Sequence, residues 1–295
     1  MRILLATDGS SHARRATRWL RDLPLAADAT VAVLTVGTLD APPRDAQTMT
    51  ELRAAVHRKA RSVAERAAKT LRRRWPRVDV ITREGDPRVE IVHVADEMRI
   101  GMIVLGARGL GRIKRFLIGS TSLAAARYAP CPVAIVRGRP PKTGRVLVPI
   151  DSSRGSRAAL RFLSMSELAH DRRVTVLHVL PDAVADGRRS RAKSVDDRNS
   201  DEAARKQRAE AETLLREAGA ALEESRRSVE TVVAVGDPAR EIVRIARTRN
   251  VGLVMLGARG LGTLGRVFLG SVSETVLHQA DRPVVIVRDN DGAIR

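Results

Sequence analysis

Cysteine is almost missing from this 295-residue chain. Cys131 stands alone, so no disulfide can close within the chain and no cysteine cluster can hold a metal. Aromatic residues make up only 2% of the sequence, with two Trp, one Tyr and three Phe. The core must therefore be built from Val, Ile, Leu and Ala, and a base-stacking surface for single-stranded nucleic acid is disfavoured. No apolar run approaches membrane-spanning length. The first apolar stretch, residues 3–6, meets Asp8 almost at once, which is too short for a secretory leader core. These absences together predict a reducing, cytoplasmic setting. There is no Gly-Lys-Ser/Thr motif, hence no lysine placed to follow the β- and γ-phosphates of a nucleotide, and no Gly-x-Gly-x-x-Gly fingerprint. His12, His57, His93, His170, His178 and His278 share no metal-ligand spacing, and none recurs in both halves. A Ser–His–Asp catalytic arrangement cannot be assembled from residues common to the two halves.

What is present is basic charge, aliphatic residues and a repeat. The formal net charge is +19, with 26 basic against 13 acidic residues in 1–139 and 27 against 21 in 140–295. Such a balance favours polyanions, whether nucleotides, nucleic acid or an anionic surface. Dispersal of the basic residues along the chain favours the plainer reading, solvated Arg-rich helix faces. At this length, with 43% hydrophobic and 29% charged residues, the chain has room for two soluble domains.

Short apolar strands alternate with helical patterns. Residues 2–7 read as a strand ending at Asp8-Gly9-Ser10-Ser11, where Ser10 or Ser11 caps a helix with Ala13, Ala16 and Leu20 on one face. Residues 30–36 form a second strand, followed by a loop containing Pro42-Pro43. A long helix is expected over 48–74, with Leu52, Ala55, Val56, Val63, Ala67 and Leu71 as its inner stripe, stopped by Trp75-Pro76. A strand over 78–82 leads to Gly85-Asp86-Pro87, with Asp86 as cap and Pro87 as first helical residue. Another helix, strands at 102–105 and 133–136 and an intervening helix complete the unit. The order then repeats. Asp8 matches Asp151 at an offset of 143, and Gly85-Asp86-Pro87 matches Gly236-Asp237-Pro238 at 151. The extra residues fall in the polar run 182–200, expected as a loop. Alternation of this kind implies a parallel sheet covered on both faces, present twice, as domains 1–139 and 140–295 joined near residues 138–144. Residues 290–295 read as a frayed tail.

The candidate chemistry sits after the fourth strand of each half. Gly106-Ala107-Arg108-Gly109-Leu110-Gly111 precedes Gly119-Ser120-Thr121-Ser122. In the second half, Gly257-Ala258-Arg259-Gly260-Leu261-Gly262 precedes Gly270-Ser271-Val272-Ser273. A strand running into a glycine-rich loop and then a helix N-terminus suits phosphate, because unpartnered N–H groups and the helix dipole point at it. One glycine cluster alone often serves only a turn. A duplicated Gly-Ser at unchanged spacing carries more. Asp8 and Asp151, at the ends of the first strands, could accept from an adenine amino group or a ribose hydroxyl, or could simply cap the following helix. Arg108 and Arg259 recur at equivalent places and are candidates for terminal phosphates, as are Arg112 and Arg266. Lys114 and Arg115 read better as solvated loop charge.

These residues resemble the nucleotide-binding signature of universal stress proteins. The likeness rests on Gly106-x-x-Gly109-(nine residues)-Gly119-Ser120, its copy at Gly257-x-x-Gly260-(nine residues)-Gly270-Ser271, Asp8 and Asp151, and the closing Pro-Val-x-Ile-Val stretches at 132–136 and 283–287. It covers nearly the whole chain. The resemblance implies two tandem open five-stranded parallel sheets of strand order 3-2-1-4-5, similar to the nucleotide α-hydrolase fold, forming an internal pseudo-dimer through their last strands. It implies one ATP per domain, often with Mg²⁺ or Mn²⁺. Asp8 and Val36, or Asp151 and Val179, would border adenine. The glycines with Ser120-Thr121, or Ser271-Val272, would hold ribose and phosphates. Family members place a proline two residues before the aspartate; Pro149 keeps it, whereas the first half has Ala6.

The expectation from sequence is thus a cytoplasmic, ATP-binding, nucleotide-gated stress regulator with slow hydrolysis at most, since neither a general base nor a nucleophile is placed. A second expectation assigns the basic first half, with Arg72-Arg73-Arg74, to nucleic acid. An α-hydrolase-type enzyme is the third, and it lacks an identifiable acceptor site. A further homodimer is left open.

Overall fold

The computed structural model describes residues 1–26, 28–39, 46–109, 118–138, 144–169, 172–181, 195–223, 228–260 and 269–289. The predicted features at Pro42-Pro43, His170, residues 139–143, 182–194 and 290–295, and at Gly111, Arg112, Lys114, Arg115, Gly262 and Arg266, lie outside them. Two compact units emerge, Met1–Arg139 with Pro283–Arg295, and Pro140–Arg282.

In the first unit the elements run β1 (Arg2–Ala6), α1 (Ser11–Arg21), β2 (Thr30–Gly37), α2 (Ala46–Leu71), β3 (Val78–Glu84), α3 (Pro87–Glu97), β4 (Met102–Gly106), α4 (Ser120–Tyr128) and β5 (Val133–Val136). All five strands are parallel in the order β3-β2-β1-β4-β5, with Ile3 in register with Val31 on one side and Met102 on the other. β10 (Val284–Val287) pairs with β5 antiparallel, Val284 opposite Ile135. The chain's last strand therefore extends the sheet of the first unit. The second unit contains β6 (Arg145–Pro149), α5 (Arg154–Met165), a 3₁₀ turn (Glu167–Ala169), β7 (Arg173–Leu180), α6 (Val195–Glu223), β8 (Val229–Val235), α7 (Pro238–Thr248), β9 (Leu253–Gly257) and α8 (Ser271–Gln279). Its strands are parallel in the order β8-β7-β6-β9.

The aliphatic composition explains the core. Strands covered by helices on both faces need apolar residues at successive positions and not at alternate ones. Accordingly Ile3, Leu4 and Leu5 of β1 and Val146, Leu147 and Val148 of β6 are all fully buried. Each such side chain contributes roughly 1.5–3 kcal/mol relative to exposure. α1 carries the expected apolar face of Ala13, Ala16 and Leu20, with Trp19 beside them. α1 packs with α2, and α3 with α4. Right-handed crossovers put the first pair on one face of the sheet and the second pair on the other.

Three local expectations need correction. α2 ends at Leu71 and not at residue 74, and the amides of Arg74 and Trp75 both fold back onto the Leu71 carbonyl. Its apolar stripe is buried only from Ala60 onward: Ala55 is exposed and Leu52 and Val56 are half-buried. Residues 195–200 belong to α6 and not to a loop; this stretch is rich in Asp, Arg, Asn and Ser, which hid its helical pattern. The turn before α3 is as expected. Asp86 accepts from the Arg88 amide at 2.9 Å, and Pro87 opens the helix. Asp237 does the same for α7 from Arg240. Gly85 and Gly236 precede them at φ of +145° and +144°, a conformation that explains glycine at both places.

Candidate functional site

The site lies where β1 and β4, or β6 and β9, leave the sheet side by side. In an open parallel sheet the connections from the central strands diverge there and leave a crevice at the strand ends. In the second unit this crevice is a cleft of about 580 Å³. Nine of the residues singled out in this half from sequence, Pro149, Asp151, Val179, Gly257, Arg259, Gly260, Gly270, Ser271 and Val272, line it.

Its lining is of two kinds. Ile150, Leu177, Pro238, Ile242, Leu256 and Leu269 are apolar. Much of the rest is backbone and small polar groups from the glycine loop and the start of α8. Gly270 stands at the N-cap of α8 and offers no side-chain acceptor, so the first N–H groups of the helix lack a capping side chain. Gly119 caps α4 in the same way. The amide of Gly270 donates to the Ala258 carbonyl at 2.8 Å, and that of Gly119 to Ala107 at 2.9 Å, which brings the helix start back onto the strand end.

The aspartates are not helix caps. Ser10 and Ser153 fill that role, accepting from the amides of Ala13 and Ser156. Asp8 instead accepts from the Ser10 amide at 2.9 Å, and Asp151 from the Ser153 amide at 3.1 Å. The Oδ2 of each faces the loop glycine: a Cβ added to Gly109 or to Gly260 would lie 2.7 Å from it. A side chain at either glycine would push the carboxylate away. Gly106 and Gly257 have a different neighbour, since a Cβ there would strike the backbone at the start of α1 or α5, 2.6 Å from His12 C or Gly155 O. The loop thus holds one pair of glycines that packs against a helix and one pair that packs against a carboxylate.

In the first unit Asp8 and Gly109 meet as described, Gly119 abuts Arg108 and Gly109, and Ser120 and Thr121 open α4. Val36 stands on β2 near its C-terminal end, in register with Arg83 of β3. Arg108 and Arg259 are half-buried on the loop.

The two copies differ in how firmly the aspartate is held. Asp151 Oδ1 also accepts from the hydroxyls of Ser153 and Ser156, the latter at 2.5 Å. In the first unit the counterpart of Ser156 is Ala13. β7 brings His178 to the cleft, and its Nδ1 lies 2.9 Å from the Ile150 carbonyl. A carbonyl can only accept, so Nδ1 donates to it and Nε2 is the ring nitrogen left for a ligand. Thr35 takes this place in the first unit, donating to the Thr7 carbonyl at 2.9 Å.

Several supporting residues escaped the sequence reading. The Ser10 hydroxyl donates to the Arg108 carbonyl at 3.3 Å, tying the first helix to the glycine loop; the Ser153 hydroxyl lies at the same distance from the Arg259 carbonyl while its single proton goes to Asp151. Ser122 and Ser273 donate to the carbonyls of Gly106 and Gly257 at 2.7 Å. Both pairs recur at the repeat offsets, which was the signal available. Cys131 is buried, and burial pushes its thiol up to about 12, so it is not a nucleophile. Among the described residues no group of three His, Cys, Asp or Glu could hold a metal, and no helix is long and apolar enough to cross a membrane.

The model of the universal stress protein family matches twice, over residues 1–137 and 142–288. Universal stress protein Rv2005c of Mycobacterium tuberculosis is 31% identical over 209 residues, covering 69% of this chain and 66% of that protein, a little under two thirds of its length. Universal stress protein MJ0577 of Methanocaldococcus jannaschii is 28% identical over 153 residues, which cover 49% of this chain and 94% of that protein. One half of this chain thus corresponds to nearly all of a shorter relative. The crystal structure of a universal stress protein from Archaeoglobus fulgidus covers 98% of this chain and 97% of its own at a TM-score of 0.70 and 23% identity, a likeness of fold. The chain belongs to the universal stress protein family and carries the family's domain twice in tandem.

Proposed function

We propose that each repeat binds ATP at the crevice between its first and fourth strands, and that the protein works in the cytoplasm as a nucleotide-gated regulator. The observation that carries this reading is the second unit's cleft, whose lining joins apolar side chains to an uncapped helix start and a glycine held against a fixed carboxylate. A base fits the apolar part and phosphates the helix start. Asp151, held through Oδ1, keeps Oδ2 for a ribose hydroxyl or base amino group. Val179 and Pro149 border the base, the Gly270 and Ser271 amides meet phosphate oxygens, and Arg259 reaches terminal phosphates. In the first repeat Asp8, Val36, Gly109, Gly119, Ser120, Thr121 and Arg108 take the same parts.

Mg²⁺ or Mn²⁺, if carried, would ride on the phosphates, with Asp151 and Glu274 as the nearest carboxylates of the cleft. Without a P-loop lysine, hydrolysis is expected to be slow. The antiparallel pairing of β5 with β10 supports a reading in which repeats 1–139 and 140–295 join through their last strands as an internal pseudo-dimer. The nucleic-acid reading gains no support from Arg72-Arg73-Arg74: Arg72 pairs with Glu65 at 3.0 Å, and Arg74 lies 5.3 Å over the Trp75 ring.

The test is nucleotide released from freshly purified, heat-denatured protein together with calorimetric titration of ATP. Two sites with micromolar-to-millimolar affinity are expected. Absence of both bound and titratable nucleotide would falsify the proposal.

A further inference from the structure

The two repeats differ at the outer edges of their sheets. Among the described residues β3 pairs only with β2, and β8 only with β7, so each strand has one side without a ladder. β3 carries exposed Asp79, Arg83 and Glu84. Arg53 of α2 holds Glu84 at 3.1 Å and Glu97 of α3 holds Arg83 at 3.0 Å, which fixes charge along that edge. Charge of this kind deters a neighbouring strand. At the corresponding places β8 has Glu230, Ala234 and Val235. Glu230 is answered by Arg249 of its own chain. Val235 is 36% exposed, Thr231 is exposed, and Val229, Val232 and Val233 are half-buried.

The β7 ladder fixes which backbone groups of β8 are spare. The Val174 amide donates to the Ser228 carbonyl, and the Gly236 amide to the Leu180 carbonyl, both at 2.9 Å. Backbone groups of successive residues point to opposite sides of a strand. Even-numbered residues from 228 to 236 therefore turn N–H and C=O toward β7, and Val229, Thr231, Val233 and Val235 turn theirs outward. The side chains of these same residues share the α6 face. A Cβ on Gly219 of α6 would stand 3.6 Å from Thr231 Cγ2 and 3.9 Å from Val229 Cγ1.

We propose that β8 is a dimerisation edge, pairing antiparallel with β8 of a second copy of the chain about a two-fold axis at Val232. In this register Val229 stands opposite the second copy's Val235, and Thr231 opposite its Val233, each pair exchanging both N–H···O bonds. Every outward backbone group of the strand then has a partner, whereas a slip of two residues strands one residue at each end. Val232 meets its own copy on the axis and Glu230 meets Ala234, so no like charges face each other. On the α6 face Val229 covers the exposed Val235, one β-branched side chain against another. The same register on β3 would press the Arg53–Glu84 pair against Val78, which leaves the second unit as the one that associates. An isologous contact of this kind closes at two copies. The pairing of β5 with β10 takes no part in it.

Sedimentation velocity of the full-length protein across a micromolar concentration series should show a monomer–dimer equilibrium. Thr231→Pro removes one outward donor and leaves the β7 ladder whole, since that N–H is not part of it. This variant should keep the parent's melting curve and sediment as a monomer. Val235→Glu, which gives β8 the charge that β3 has at Glu84, should weaken the dimer about tenfold or more. Cysteine placement reads the register. Val232→Cys sits on the axis, where a non-hydrogen-bonded pair brings Cα atoms to about 4.5 Å, within disulfide range. Mild oxidation should link this variant into a covalent dimer, and Cys131, being buried, adds no background. Val235→Cys, roughly 20 Å from its own copy in this register, should stay unlinked. A parent that sediments only as a monomer overturns the proposal. So does a dimer that survives both Thr231→Pro and Val235→Glu, or one in which Val235→Cys crosslinks as readily as Val232→Cys.

Discussion

Replacing Gly260 with alanine adds a single carbon and should cost the second site much of its affinity. The added Cβ would lie 2.7 Å from Asp151 Oδ2, about 0.7 Å inside ordinary contact. Gly260 is exposed at the loop and carries no left-handed φ, so the backbone accepts alanine and the strain falls on the carboxylate. That carboxylate cannot simply swing aside, because Oδ1 is held by the Ser153 amide and by the hydroxyls of Ser153 and Ser156. Either those bonds lengthen or Oδ2 leaves the position from which it meets the ligand. Loss of one hydrogen bond to a charged group is about 1.5–3 kcal/mol, or roughly 10- to 150-fold in affinity. Gly109→Ala creates the same overlap with Asp8, but Ala13 replaces Ser156 there and the carboxylate has more freedom. Its effect should stay below about tenfold. Calorimetric titration of ATP into each variant, with melting curves to confirm the fold, reads both numbers. If Gly260→Ala keeps two sites of parental affinity, the role given to Asp151 is refuted.

Gly257→Ala should behave in the opposite manner, lowering stability in urea by about 1–3 kcal/mol, since its Cβ meets the immobile backbone of Gly155; a neutral result would show that α5 can retreat. His178→Thr installs the residue of the first repeat and removes Nε2 from the cleft; the cleft should then lose about tenfold of its preference for ATP over inosine triphosphate, measured by competition. His12 sets a pH dependence. Burial lowers its folded pKa, so the unfolded chain binds the proton more readily, and its contribution to stability is complete above 6.5 and lost as the pH falls through the lower, folded value. Urea midpoints measured across that window should slope upward with pH in the parent and more weakly in His12→Gln.

Much of this architecture could be read from the residues because the repeat constrained it. The succession of strands and helices followed from apolar runs separated by helical patterns, the strand order from the resemblance to universal stress proteins, and the caps at Asp86 and Asp237 from a proline one position on. Repetition drew attention to Asp151 and to the glycine-loop residues of the second cleft before their contacts were known, and the family resemblance added Pro149 and Val179. What stayed hidden depends on geometry between segments. Asp8, beside Gly9-Ser10, reads in one dimension as a cap or as a ligand contact; the fold gives the cap to Ser10, one of the two serines expected there, and turns Asp8 toward Gly109, a hundred residues away. The separate duties of Gly106 and Gly109 were invisible for the same reason. The start of α6 was missed because its first turns are too polar to show a periodic apolar stripe.

The pairing of β5 with β10 has a consequence for anyone who cuts this chain in two. Val133, Ala134, Ile135 and Val136 are all buried, and β10 occupies the outer hydrogen-bonding edge of their strand. A fragment ending at residue 139 would leave that edge bare, four apolar residues wide and without a charge to deter a neighbour. An open edge of this kind invites a second strand from any available source. The isolated first repeat should therefore seek a copy of itself, and its association would report the missing tail of the chain.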